Sequence, residues 1–236
     1  MTVTHNEHAE SGHHEAPEVV DGRQRLGIWL FIGGDMISLG ALLFTYLYLR
    51  GVNSGGHWMS IVGMPSKGIT SAGPDTFTPT TLVEQPMANG LNWLIVLVVV
   101  VSAALMWLGE KRLRASVNGR GAFRGYAAAA TVTAVVAIVL QVMQVRNVPQ
   151  YWIQSNDSAL FAYTSYGSVV LAFGISAIIH FVLLVLLGAG LYVRAGRNVL
   201  SYEKWYQARL VRFFWVWIAV STIVTAIVVT LLNTVH

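Results

Sequence analysis

Ile95-Val96-Leu97-Val98-Val99-Val100-Val101 is the run whose reading decides the fold. It lies inside the apolar stretch Leu91–Leu108 and contains no alternation of apolar and polar residues. A strand of a membrane barrel alternates over about ten positions, so this run is not one. In water its β-branched residues would weaken a helix. In lipid the backbone has no other partner, and the helix satisfies every N–H and C=O internally.

Four further stretches have the same character: Leu26–Leu49, Tyr126–Val145, Ala162–Val193 and Phe213–Leu232. Each is near or above the ~20 residues with which a helix crosses a bilayer. The 236 residues are 55% hydrophobic and 11% charged, against roughly a quarter charged in soluble domains. These features predict an all-α, polytopic membrane protein: a five-transmembrane-helix bundle.

Orientation follows from the positive charges, because Lys and Arg near span ends stay in the cytoplasm. Arg23 and Arg25 precede the first stretch, Lys111, Arg112, Arg114, Arg120 and Arg124 follow the second, and Arg194, Arg197, Lys204, Arg209 and Arg212 follow the fourth. Of the 15 basic residues only Arg50, Lys67 and Arg146 fall on the other side. The N-terminus is therefore expected in the cytoplasm and the C-terminus outside. The flanking residues account for the net charge of +4, which reads as a topology signal and not as a nucleic-acid surface.

Residues 1–22 read as a disordered, acidic, His-containing cytoplasmic tail, with neither the apolar core of a secretory signal nor the arginines of a transit peptide. The expected location is the plasma membrane of a bacterium or archaeon. His5, His8, His13 and His14 in this tail offer at most weak metal binding, since nothing apolar is available to fold around an ion. No cysteine is present, which removes disulfides and thiolate metal sites. The loop from Gly51 to about Gly90 carries Pro65, Pro74, Pro79 and Pro86 and is expected to form no long helix.

In the third stretch Ala127, Ala130, Ala134 and Ala137 form a small-residue stripe that invites close approach by another helix. It predicts a packed helix, not a lipid-facing one. The fourth stretch, at 32 residues, is about 48 Å long as a helix and exceeds the ~30 Å hydrocarbon core, which predicts tilt or projection. No inverted repeat of the transporter kind is visible.

Asp35 is the one acidic residue inside the five stretches, and His180 the one histidine. A carboxylate at that depth costs ~2.5–3.5 kcal/mol and demands compensation. Two readings stand for Asp35: a protonated acid satisfied by a hydroxyl such as Ser38, or a proton-handling group. For His180 they are a histidine bonded inside the bundle and, more sharply, a partner of Asp35. A lone histidine gives no bis-His haem site, and no metal centre is expected in this chain. Gln141 and Gln144 are expected to face protein, where their hydrogen bonds contribute ~0.6–2 kcal/mol each.

Together these residues resemble subunit III of the haem-copper respiratory oxidases in its five-helix bacterial form. The segment Gly27-Ile28-Trp29-Leu30-Phe31-Ile32-Gly33-Gly34-Asp35 is similar to the family's Gly-x-x-x-Phe-x-x-Ser-Glu, with Asp35 on its intramembrane carboxylate. Tyr166-Gly167-Ser168, followed by Gly174 and His180, is similar to its Tyr-Gly-Ser and Gly-x-His-Gly-x-His-Val. Pro86, Asn89 and Gln141 fall on its Pro-x-x-Asn and Gln. Departures are Ala177 at the first histidine, Gln144 at a usual Glu, and Arg209-Leu-Val-Arg212-Phe-Phe-Trp215 in place of Trp-His-Phe-x-Asp.

The resemblance implies a non-catalytic subunit that packs on subunit I of an oxidase whose haem and copper sit in subunits I and II. Such a subunit holds phospholipid, supports proton uptake, and can belong to a respiratory supercomplex. Rival expectations are a companion subunit of a nitric oxide reductase, a small proton-coupled transporter using Asp35, and a haem-binding membrane anchor.

Overall fold

A computed structural model of the protein describes residues 17–52, 90–153, 165–200 and 205–234. The described residues form five α-helices: α1 Pro17–Val52, α2 Gly90–Ala115, α3 Gly119–Ile153, α4 Ser165–Gly196 and α5 Tyr206–Thr234. All five are long and apolar enough to cross a membrane. The chain is a multi-pass membrane protein. With 36, 26, 35, 32 and 29 residues, every helix is longer than the ~30 Å hydrocarbon core and must tilt or project. The length that predicted tilt or projection for the fourth helix is thus shared by all five.

Helix α1 takes in Pro17–Gly22, which the sequence reading assigned to the tail. Proline suits a first helical position, having no N–H to leave unbonded. Most of the tail and of the 51–90 loop, including Pro86 and Asn89, lies outside the described residues.

Helices α2 and α3 form a hairpin closed by Gly119 N–H donating to Ser116 O at 3.0 Å. A Cβ at Gly119 would stand 2.0 Å from Arg112 O, so this turn accepts only glycine. Helix α4 ends with Asn198 in the left-handed region, at φ 60°. There Val199 and Leu200 N–H donate to Arg194 O at 3.1 and 3.3 Å, the bonding of a helix C-cap.

The core sits between α2, α3, α4 and α5. Ala127, Ala130, Ala134 and Ala137 are all buried, so the small-residue stripe is a packing face. The opposite face of α3, with Val132, Val135, Val136 and Val139, is exposed, which corrects the expectation that this helix avoids lipid. Ser102 Oγ donates to Ala130 O at 2.8 Å and accepts from Trp215 Nε1 at 2.9 Å, tying α2, α3 and α5 through one hydroxyl. Across from the stripe, Gly188 on α4 meets Thr131 so closely that a Cβ would lie 2.2 Å from Oγ1, itself fixed on Ala127 O at 2.7 Å. Gly188→Leu is therefore expected to force α3 and α4 apart, at a cost of about 1–3 kcal/mol for overpacking. A lower unfolding temperature in detergent checks it; an unchanged one counts against this contact.

Helix α1 is peripheral: 6% of its spanning window is buried, against 39% for α2. It rests on α4 and α5 through Trp29 against Phe213, Phe31 against Phe214 at 5.3 Å, and Tyr46 against Phe173. The basic residues gather at one end of the bundle, where α1, α3 and α5 start and α2 and α4 finish. Several lie over aromatic rings there, Lys111 over Trp107, Arg114 over Trp205 and Arg124 over Tyr192, an arrangement suited to an interfacial belt.

Candidate functional site

Asp35 lies ten residues beyond Arg25 on α1, about 15 Å at the helical rise. His180 reaches it from α4. Its Nε2 stands 2.7 Å from Asp35 Oδ1, and from α5 the Trp217 indole N–H donates to Asp35 Oδ2. The side chains are 15% and 18% exposed. Three helices thus meet on one carboxylate. The sharper reading of His180 holds, and Ser38 is not the group that satisfies Asp35.

The second imidazole nitrogen fixes the proton count. His180 Nδ1 lies 2.6 Å from Ser176 O, and a carbonyl only accepts, so Nδ1 carries a hydrogen. Between Nε2 and Oδ1 one further hydrogen is then required. If it sits on nitrogen the pair is imidazolium and carboxylate; if on oxygen, it is neutral imidazole and carboxylic acid. Both arrangements have zero net charge, which lipid demands. Asp35 and His180 therefore share one proton, with the Trp217 N–H stabilising negative charge on the other oxygen.

A cavity of about 70 Å³ adjoins the pair. Its polar walls come from all five helices: Ser38 on α1, Asn92 on α2, Gln141 on α3, Ser176 on α4, and Ser221, Thr222 and Thr225 on α5. Ala177 lines it too, where a histidine would have filled part of the space. Gln141 and Gln144 are buried as expected, and they satisfy each other: Gln141 Nε2 donates to Gln144 Oε1 at 2.9 Å. Tyr166, Gly167 and Ser168 lie in the first turns of α4, and Gly174 is buried nearly two turns before His180.

A second, apolar groove of about 500 Å³ runs between α1, α4 and α5 at the basic end. Gly27, Phe31, Leu183 and Phe214 wall it, while Arg194 and Gln207 stand together at its mouth, bonded at 3.1 Å.

Two functional-looking groups escaped the sequence reading. Trp217 is one, because an indole inside an apolar run reads as packing. Its signal is the N–H, which takes a partner when buried. Glu110 is the other. It follows the stretch Leu91–Leu108 and precedes Lys111 and Arg112, so it reads as a solvated loop residue. Helix α2 continues to Ala115, however, and Glu110 is 1% exposed. Its Oε2 lies 2.9 Å from Arg212 Nε on α5, and its Oε1 3.6 Å from Arg114. The Arg212 N–H is not aligned on the carboxylate, so the contact is a charge pair without a well-formed hydrogen bond from the described residues.

Among the described residues no three His, Cys, Asp or Glu side chains converge as a metal cage. The Asp35–His180 pair offers two such groups, each already engaged. What its geometry allows is a proton held between Asp35 Oδ1 and His180 Nε2. No protein-family model matches the chain, and no curated protein sequence matches it.

Proposed function

We propose that this chain is a non-catalytic accessory subunit of a respiratory haem-copper terminal oxidase in a bacterial plasma membrane, seated against subunit I beside subunit II. The observation that carries the reading is the meeting of Asp35 and His180 at 2.7 Å. They come from the two segments on which the resemblance to subunit III rests, and lie 145 residues apart. In this role the pair seats α1 on the bundle and holds a proton within the membrane. The oxidase reduces oxygen to water with electrons from cytochrome c or a quinol. The groove between α1, α4 and α5 suits the acyl chains of a phospholipid, with Arg194 at headgroup level. The basic end faces the cytoplasm, as the positive charges imply.

Purification in mild detergent tests this directly. The chain is expected to emerge with haem- and copper-containing subunits and a Soret band; a complex without them would refute the assignment. A second reading is favoured by the polar cavity beside Asp35: a small proton-coupled transporter with Asp35 as carrier. In that case the chain alone, reconstituted in vesicles, would move solute or protons without partners.

A further inference from the structure

We propose that the shared proton of Asp35 and His180 exchanges with water from one face of the membrane only, through the polar cavity and away from the basic end. This rests on the proton-holding reading of the pair, not on the identity of the surrounding complex.

The direction comes from where the lining residues fall along their helices. Helix α1 starts at the basic end, and the cavity follows it from Asp35 onward to Leu39 and Leu42. Helix α5 also starts there, and the cavity follows it from Ile218 onward to Thr225. Helix α2 runs the other way, and it contributes Asn92, at its start, remote from the basic end. On these three helices every lining position thus lies at the depth of the pair or beyond it, and on α4, which finishes at the basic end, only Phe181 stands past His180, by one residue.

Toward the basic end the path is apolar. The rings of Phe31 and Phe214 meet at 5.3 Å, and Leu184, Phe214 and Trp215 are buried beneath the pair. No hydroxyl or amide in the cavity wall lies on that side of the pair. The groove at that end stops at Phe31, Leu183 and Phe214, so water in it would still have to pass these apolar side chains without a hydrogen-bond partner to reach the pair, a costly step.

The wall itself suits water. One water requires ~10–15 Å³ of such volume, and the cavity has about 70 Å³. Ser221 and Thr222 donate their hydroxyl hydrogens to Ile218 O at 3.0 and 2.7 Å, leaving oxygen lone pairs as acceptors. Those lone pairs anchor water molecules by accepting their hydrogens. Asp35 and His180 are the two titratable groups in the lining, so a proton arriving by this route has one destination.

The chain contains no cysteine, so single cysteines report without background. Ser38→Cys on α1 and Ser221→Cys on α5 place a thiol in the wall. Ser116→Cys in the α2–α3 turn marks the basic face, and Val136→Cys marks an exposed position on α3. Silver ion, small enough for a water path, is added to one side of sealed vesicles holding the full chain. The protein is then denatured and the remaining thiols are labelled with a maleimide.

Ser38→Cys and Ser221→Cys are expected to react from the face opposite Ser116→Cys. Their rates should exceed that of Val136→Cys by roughly tenfold or more, because a thiol in apolar surroundings ionises less. Reaction from the Ser116 face, or rates no higher than that of Val136→Cys, overturns the proposal. Should one cavity variant misfold, the other, on a different helix, carries the test. Absence of haem-copper subunits on purification would bear on the proposed complex alone, since the labelling reads this chain's own side chains.

Discussion

Asp35→Ala is expected to loosen α1 from the bundle and to lower stability by about 3 kcal/mol, the lower end of the range for breaking a buried pair. The variant strands two donors, His180 and the Trp217 indole, and the few waters that the small polar cavity admits replace the lost carboxylate poorly. The effect is large because α1 has little else holding it: its spanning window is 6% buried, and its ring contacts to the bundle are those of Trp29, Phe31 and Tyr46. Asp35→Asn separates support from chemistry. Its amide can donate to Nε2 of a neutral His180 and accept from Trp217, so the clamp is retained while the shared proton is lost. Thermal unfolding in detergent should therefore place Asn close to the parent and Ala well below it. Sustained turnover of the proposed oxidase complex should fall in both. Equal stability of all three proteins would remove Asp35 from the role of clamp, and normal turnover with Asn would remove the proton from its function.

The second large effect is expected at Glu110. Glu110→Leu leaves Arg212, 17% exposed, without its counter-charge between α2 and α5. Breaking such a pair costs about 3–5 kcal/mol, and replacing both partners by apolar residues is often neutral or stabilising. The double variant Glu110→Leu with Arg212→Leu is therefore expected to recover most of the stability that the single variant loses. The misaligned Arg212 N–H makes this recovery more complete, since little hydrogen-bond energy is forfeited. Additive losses in the cycle would mean that the two residues contribute separately.

Both predictions concern groups that differed in legibility. Asp35 announced itself, because a carboxylate far from either end of an apolar stretch has no cheap explanation. Glu110 did not, because hydropathy ends a span where charges begin, and the helix ends later. Trp217 was hidden for the opposite reason: its ring satisfies the apolar pattern, and only its N–H betrays a polar task. The alanine stripe correctly indicated a packing face, yet it was silent about the valines behind it. One packed face does not bury a whole helix.

What the sequence by itself determined is the set of five apolar helices, their alternating direction, and the presence of one acid and one imidazole inside them. These depend on local quantities: length of apolar runs, positions of Lys and Arg, and the solvation cost of single groups. Only the tertiary structure decided that Asp35, His180 and Trp217 share one centre, that Glu110 pairs with Arg212, and that a polar cavity lies on one side of the pair. Those facts depend on how the helices rotate and cross, which small residues such as Gly188 and the α3 alanines permit by letting backbones approach. Hydropathy is blind to rotation about a helix axis, because lipid and protein interior are equally apolar.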